Sequence, residues 1–161
     1  MQNAKDSFYI ELRNRLAAVN PARVVTIRSV SRPAIMVEEA ETPQPEPAEE
    51  VFILRWTDAA VNTECSLPLA SMICEFLYSS SGSAQRNGLD RGRALAAMDG
   101  ELIKLLQPYS TQKLNYTQTP AVVMGTQVFW TEATLMPLET LRGQLQRTAR
   151  VTVFAFNEQG E

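Results

Sequence analysis

Three carboxylates in the second half of the chain are the residues best suited to chemistry. Asp90, Asp99 and Glu101 fall in or beside a helical stretch, and the sequence has no histidine, so any acid–base or metal-assisted reaction would have to use groups of this kind. Asp99 and Glu101 are two positions apart and do not share a helix face, so no carboxylate pair is placed to shift each other's pKa. The missing imidazole also excludes Ser-His-Asp and Cys-His nucleophiles and histidine-bound zinc. We expect no enzymatic activity, no catalytic or metal-ligating residue, and no cofactor.

The polar stretch SSSGSAQRNG, residues 79–88, suggests a second kind of site, because serines and a glycine can cradle a phosphate. Its spacing does not match the G-x-x-x-x-G-K-[ST] pattern of a phosphate-binding loop, and it lacks the G-x-S-x-G frame of a serine hydrolase. With no histidine to activate a serine hydroxyl, we interpret the stretch as a flexible polar loop.

The chain contains two cysteines, Cys65 and Cys74. They are too far apart in sequence for the Cys-x-x-Cys motif of redox and zinc sites. Because nothing in the sequence indicates an oxidising compartment, we expect two small buried side chains instead of a disulfide.

The most acidic part of the chain surrounds a proline-rich segment, TPQPEPAEE, at Thr42–Glu50. Prolines with interleaved glutamates cannot pair as a strand and carry no apolar anchor, so we predict an extended, mobile connection. The segment also lacks the Asp/Asn/Gly pattern that shapes a calcium loop. The glutamates of this region are Glu38, Glu39, Glu41, Glu46, Glu49 and Glu50.

The bulk composition limits the partners of the protein. With 161 residues and 45% hydrophobic residues, the chain is predicted to form one domain over 1–161 with a single sizeable core. Its net charge of −3 gives no basic field for nucleic acid. The N-terminus lacks a signal-peptide core and no apolar run is long enough to cross a bilayer, so we expect a cytoplasmic protein without membrane contact.

Two stretches have helical periodicity. Asp6–Val19 is predicted as a helix because its apolar residues recur every three or four positions. Its predicted core stripe is Phe8, Leu12, Leu16 and Val19. Leu89–Gln107 is predicted as the longest helix, with Asp90 as its N-cap and Pro108 preventing extension. Its predicted core stripe is Leu95, Met98, Leu102, Leu105 and Tyr109.

β-Branched and aromatic runs predict the strands. Periodicity leaves Leu69–Ser79 ambiguous between helix and strand, and we assign a strand to its second half because it ends abruptly in SSSGS. We predict a turn at Ser31–Pro33, a polar excursion at Thr57–Pro68, and a loop with at most a turn or two of helix at Leu135–Leu145. The predicted strands are Arg23–Val30, Ala34–Glu41, Val51–Trp56, Ile73–Tyr78, Thr126–Ala133 and Ala149–Phe156.

The order of these elements predicts an α+β fold with a largely antiparallel mixed sheet and two main helices on one face. The final strand, Ala149–Phe156, is apolar on both sides and therefore needs cover on both faces. That cover comes either from the rest of the chain or from another subunit.

The layout resembles the small tail terminator and tail completion proteins of tailed bacteriophages, over most of the chain. The stretches that carry the resemblance are FYIELRNRLAAV, RPAIMVEE, VFILRW, RGRALAAMDGELIKLLQP, GTQVFWTEA and RTARVTVFAF. The resemblance implies a structural subunit that forms a ring, typically a hexamer, caps the tail tube and stops its polymerisation. It also implies subunits whose sheets and helices pack across their boundaries, and loops that meet other tail or head–tail connector proteins.

Charges of opposite sign suggest where copies would meet in such a ring. Arg91 and Arg93 stand in the first turn of the second helix, where the helix dipole disfavours cations, so a carboxylate on a neighbouring subunit is one possible partner and solvation is the other. The candidate subunit-interface residues are Arg86, Arg91, Arg93, Glu46, Glu49 and Glu50.

Two other classes of function stay open on the sequence alone. The first is a non-catalytic α+β domain that binds a ligand or a protein and has no connection with phage. The second is an enzyme that uses carboxylates or a carboxylate-bound metal.

Overall fold

The computed structural model describes residues 1–41, 49–64 and 66–158. The predictions for Glu46, for Cys65 and for most of the Thr42–Glu50 connection therefore fall outside the described residues. The helices are α1 (Gln2–Val19), α2 (Glu38–Glu41) and α3 (Arg91–Leu105). The strands are β1 (Val24–Ile27), β2 (Val30–Pro33), β3 (Ile35–Val37), β4 (Phe52–Asn62), β5 (Leu69–Ser80), β6 (Ser110–Asn115), β7 (Val122–Trp130), β8 (Thr134–Leu135), β9 (Glu139–Leu141) and β10 (Gln144–Phe156).

The main sheet is mixed and runs in the order β3-β4-β5-β10-β7-β6. Strand β10 is at its centre and pairs antiparallel with β5 along nearly its whole length, from Leu145 opposite Ser80 to Phe156 opposite Leu69. Its other edge is shared by β7, β8 and β9 in turn. Strands β3 and β4 pair in parallel, whereas the other pairs among the described strands are antiparallel. The predicted α+β class, with a largely antiparallel mixed sheet, is confirmed.

Helices α1 and α3 pack against each other and against one face of this sheet, as predicted. Phe8 of α1 lies at the centre of the core, in edge-on contact with Trp56, Phe76 and Trp130 at ring-centroid distances of 5.8, 6.2 and 5.0 Å. Aromatic rings in this geometry attract each other in addition to the area they bury. The predicted stripes are buried at Leu12 and Leu16 and at Leu95, Met98, Leu102 and Leu105, whereas Val19 and Tyr109 are exposed.

The helices begin at positions other than those predicted. Helix α1 starts at Gln2 because Ala4 is fully buried and extends the packed surface towards the N-terminus, and Asp6 accepts a bond from Gln2 inside the helix instead of capping it. Asp90 precedes α3 but makes no capping bond, since its carboxylate binds the backbone N–H and hydroxyl of Ser83.

The first hairpin differs from the prediction. Its turn lies at Arg28-Ser29, both with positive φ, and not at Ser31–Pro33. Val24–Ile27 pairs with Val30–Pro33 in a separate two-stranded sheet, and the segment after it, Ile35–Val37, joins the main sheet instead. Two positive φ values are the geometry of a type I′ turn, which sequences usually mark with Asn-Gly, so Arg-Ser gave no signal.

Several strands are longer or more numerous than predicted. Strand β4 continues to Asn62 through the predicted polar excursion, and β5 takes the whole of Leu69–Ser80. Strand β6 was not predicted, and the predicted loop at Leu135–Leu145 contains β9 and the start of β10 in place of helical turns. These segments are polar because they lie at a sheet edge or extend past the core, so their side chains do not alternate clearly.

Candidate functional site

The three carboxylates proposed for chemistry are each tied into a different structural network. Asp99 accepts a 2.5 Å hydrogen bond from the hydroxyl of Tyr78 and lies 3.0 Å from a guanidinium nitrogen of Arg147. Burial, reinforced by the bond to Asp99, raises the pKa of Tyr78 well above its ordinary value. This network ties helix α3 to strands β5 and β10.

Glu101 and Asp90 also make hydrogen bonds that hold neighbouring segments together. Glu101 accepts a 2.8 Å hydrogen bond from Asn20 Nδ2 and further hydrogen bonds from the guanidinium of Arg23. These bonds fasten the end of α1 to α3. Asp90 accepts the Ser83 backbone N–H at 2.9 Å and its hydroxyl at 2.8 Å, and these bonds hold the pKa of Asp90 below its usual range. The structure brings no two of the three carboxylates into one site.

The serines of the polar loop are paired with carboxylates, which excludes an anion cradle there. Ser81 donates its hydroxyl to Glu49, and Ser80 donates to Glu50 at 3.3 Å. The bond from Ser81 is the main reason that the pKa of Glu49 is lowered, so this carboxylate stays charged and would repel a phosphate. The loop is held in place by hydrogen bonds along its length.

The described ranges offer little other chemistry. Within them, no group of three or more Cys, Asp or Glu side chains converges on a position that could hold a metal ion. Cys74 is free and buried, and burial raises the pKa of its thiol well above the ordinary value, as befits a core side chain. Nor do the described helices include one with the length and apolar composition of a membrane span.

The surface feature that stands out is the sheet face opposite the helices. Along β10 the side chains of Ala149, Val151, Val153 and Ala155 are buried beneath the helices, and the alternate side chains point the other way and are partly exposed. We call this second side the open face, and its main residues are Ile73, Phe129, Thr152, Phe154 and Phe156.

The open face has an aromatic patch at the end of β10 and an ion pair further along the strand, in which a guanidinium nitrogen of Arg150 lies 2.7 Å from the carboxylate of Glu75. Phe154 lies opposite Phe129 in the register of β10 and β7, and the rings of Phe129 and Phe156 contact each other edge-on at 6.2 Å. Among the described residues, cover on this side of the sheet comes from the β1–β2 hairpin, whose Val25 and Ile27 pack over Ile53 and its neighbours. Strand β10 therefore has full cover on one face and partial cover on the other within a single copy.

A cavity opens on the same side of the sheet, next to the residues that the β1–β2 hairpin covers. It has a volume of about 70 Å³. Its floor is apolar, made by Val51, Ile53 and Leu77, and Glu139 is an exposed residue at its rim. Its remaining lining residues are Tyr78, Ser79, Gln146, Arg147 and Thr148.

Exposed apolar side chains also occur just before α3 and at strand β9. Leu89, immediately before α3, is 90% exposed, the highest value among the large exposed hydrophobic side chains of the described residues. Leu138, just before strand β9, and Leu141, the last residue of that strand, are 50% and 55% exposed. Arg91 joins the two regions by donating a 2.9 Å bond to the carbonyl of Gly143, in the turn after β9.

The structure places the predicted interface residues at the same end of the molecule. Arg86 and Arg93 are exposed and stand on either side of Leu89 in sequence. Glu49 and Glu50 are exposed but have partners within their own copy: Glu49 binds Ser81 and Gln144, and Glu50 binds Ser80 and Arg23. Glu46 lies outside the described residues.

Sequence reasoning did not identify Leu89, the cavity or the open face as surfaces. Leu89 was assigned to the helix on periodicity, and its exposure comes from the turn that precedes the helix. The alternation of β10 showed two apolar faces but could not show which one the helices would cover.

Comparisons with known proteins give little beyond the structure itself. No protein-family model and no curated protein sequence matches the chain. Among solved structures, the chain is similar to one from the virion of a native gene transfer agent particle, with a TM-score of 0.37 and 12% sequence identity. The match covers 96% of this chain and 94% of that one.

Proposed function

We propose that this protein is a structural assembly subunit of a phage or prophage tail-like particle, which forms a homo-oligomeric ring that caps or completes the tail tube. Its partners are copies of itself and other tail or head–tail connector proteins, and it contacts neither nucleic acid nor membrane. It has no catalytic role and assembles from the cytoplasm into the particle.

The observation that carries the proposal is the half-covered central sheet. A strand that is apolar on both sides is stable where both sides are packed, and in one copy the open face retains three partly exposed phenylalanines, Phe129, Phe154 and Phe156. A second protein surface on the open face would complete a helix–sheet–helix sandwich of the usual layered kind.

The helix side supplies a surface of the matching kind. The outward side of α3 includes the exposed small and apolar residues Gly92, Ala96, Ala97 and Ile103, with Arg93 and Lys104 also exposed on the helix. Because this surface and the open face lie on opposite sides of the sheet, contact between them is heterologous. A heterologous contact that closes generates a ring.

The chemistry of the chain agrees with a role carried by surfaces. The carboxylates with the best prospects for chemistry, Asp90, Asp99 and Glu101, are engaged in hydrogen bonds and ion pairs that hold the fold together. The identification with tail particles in particular is supported by the resemblance of the element order to tail terminator and tail completion proteins.

The proposal can be tested by assembling tail tubes in vitro, with and without the purified full-length protein. The tubes are made from the tail-tube protein whose gene lies nearest to the gene for this chain. We expect tubes of defined length that carry the protein at one end in electron micrographs. A variant with Phe154→Ser and Phe156→Ser should not stop elongation, and Val123→Ser, which alters an exposed apolar residue of β7 away from these rings, serves as the control. Tubes whose length and ends are unaffected by the wild-type protein would refute the proposal.

A further inference from the structure

We infer that Leu89 is the anchor of the contact between copies and that it inserts into the cavity on the open side of the sheet of the next copy. The inference rests on the proposed function, because it names the residues through which the ring would close. The occupant of the cavity is therefore a second copy of this chain.

The first support is the rigid presentation of Leu89. The loop before it is closed by the two bonds from Ser83 to Asp90, and the N–H groups of Gly88 and Leu89 donate to the carbonyls of Ser83 and Arg86 at 3.2 and 3.0 Å. Gly88 has φ +75°, and a Cβ there would lie 2.7 Å from the carbonyl oxygen of Ser81. A leucine held this far into solvent on an ordered loop loses little conformational entropy on binding.

The second support is the match of the cavity to an apolar side chain. Val51, Ile53 and Leu77 form an apolar floor, Ser79 and Thr148 add hydroxyls beside it, and the lining arginine, Arg147, is already paired with Asp99. An aliphatic side chain that enters displaces water from this floor without leaving a charge unpaired. Anchor residues that fill such pockets dominate the energetics of protein interfaces.

The third support is the charge around each surface. Arg86 and Arg93 lie close to Leu89 in sequence and are exposed, and Asp90 next to it is bonded to Ser83, whereas the cavity lining includes the exposed Glu139 and an arginine, Arg147, that is paired with Asp99. The two exposed arginines of one copy would therefore meet Glu139 on the next. Exposed pairs of this kind orient the contact and speed association more than they strengthen it.

The fourth support is the direction of the two surfaces. Leu89 immediately precedes α3, a helix that packs on one face of the sheet, and the cavity opens on the other face. A copy whose leucine enters its neighbour's cavity still presents its own cavity to a third copy, which is the condition for a heterologous ring.

The experiment compares self-association of the full chain and its variants by sedimentation velocity over a concentration series. We expect Leu89→Ser to raise the dissociation constant roughly thirty-fold or more, as for loss of an interface anchor. Val123→Ser, at a side chain that is 63% exposed on β7, should leave it unchanged. Wild-type association that is equally strong in the Leu89→Ser variant would overturn this inference and leave the proposed function standing. A wild-type protein that stays monomeric alone and with tail tubes would end both.

Cross-linking tests the pairing itself, in a Cys65→Ser background so that the buried Cys74 is the one native cysteine left. We expect Leu89→Cys and Gln146→Cys proteins to form a disulfide-linked dimer only when the two are mixed. The protein with both changes should form covalent species larger than a dimer. Val123→Cys mixed with Gln146→Cys is the matched control and should give none. Equal cross-linking by the control, or species limited to dimers in the doubly changed protein, would contradict the inference.

Discussion

The ammonium group of Lys113 is completely buried and donates a 2.7 Å hydrogen bond to the backbone carbonyl of Phe156. Lys113 belongs to the outermost strand β6 and Phe156 ends the central strand β10, so this bond passes across β7. The carboxylate of Glu158 is 4.0 Å from the same ammonium and also accepts the backbone N–H groups of Gly125 and Thr126, each at 3.0 Å. The last described residues of the chain are thus fastened to the β6–β7 hairpin by a buried charge.

Replacement of Lys113 by alanine should lower the free energy of unfolding by about 2–4 kcal/mol, because the Phe156 carbonyl loses its donor and a buried volume is left empty. Urea denaturation measures the change. Lys104→Ala, at an exposed position of α3, is the control and should change stability by less than about 0.5 kcal/mol. Equal effects of the two variants would contradict a structural role for Lys113.

The contribution of Glu158 should depend on pH. The hydrogen bond from Thr126, then those from the Gly125 and Thr126 backbone, hold the pKa of Glu158 below its usual range. Its stabilisation is therefore complete above the unfolded-state pKa, near about 4.3, and is lost as pH falls through the lower folded-state pKa. Glu158→Gln should cost up to about 1 kcal/mol at pH 7 and almost nothing at pH 2.5. A deficit that stays constant between these two pH values would argue against the assignment.

The type I′ turn of the β1–β2 hairpin should accept better turn residues. Arg28 and Ser29 have φ values of 50° and 67°, a left-handed conformation that costs most non-glycine residues about 1 kcal/mol each. Changing them together to Asn-Gly should raise the free energy of unfolding by about 0.5–1 kcal/mol. Thermal unfolding measured beside Ser29→Val, which should destabilise the hairpin, checks the sign. A loss of stability in the Asn-Gly protein would show that the Arg28 or Ser29 side chain has a compensating partner.

Tyr78→Phe tests whether Asp99 is a structural group. The variant keeps the aromatic contact with Phe52, at 5.2 Å between ring centroids, but removes the hydroxyl that donates to Asp99, so it should lose about 1–2 kcal/mol at pH 7. Because burial and the bond to Asp99 raise the pKa of Tyr78, the wild-type advantage is full below the unfolded-state value of about 10 and declines as pH rises above it. Unfolding curves at pH 7 and pH 11 should show the gap narrowing, and an unchanged gap would count against the network.

The fold class was predictable because the strongest local signals also make the core. The periodic spacing of Leu95, Met98 and Leu102 and the apolar run of β4 each place side chains in the buried cluster. Strand β6 was missed because its sequence, STQKLN, has little apolar alternation: its one fully buried side chain is Lys113, which sequence reasoning assigns to the surface.

The candidate surfaces were less accessible to sequence reasoning because they depend on relations between distant segments. The alternation in β10 predicts two apolar sides, yet which side the helices cover is set by how the chain crosses the sheet. Similarly, the sequence predicts that Glu49 and Glu50 face a neighbouring subunit. The end of β5 and the start of β10 lie beside them, however, so Ser81 and Gln144 bind Glu49 within the same copy. The cavity floor combines Val51 and Ile53 with Leu77, a contact that only the pairing of β4 with β5 creates.

We propose that copies of this chain assemble with one another into a closed ring. Native mass spectrometry of the full-length protein can show such a ring and count its subunits. Spectra across a range of concentrations, recorded alone and with purified tail-tube protein, give the number of 17.9 kDa chains in each species. We expect one discrete oligomer of fixed size that grows at the expense of the monomer and stays closed at the highest concentration. A chain that remains monomeric at every concentration and binds no tail-tube protein would contradict it.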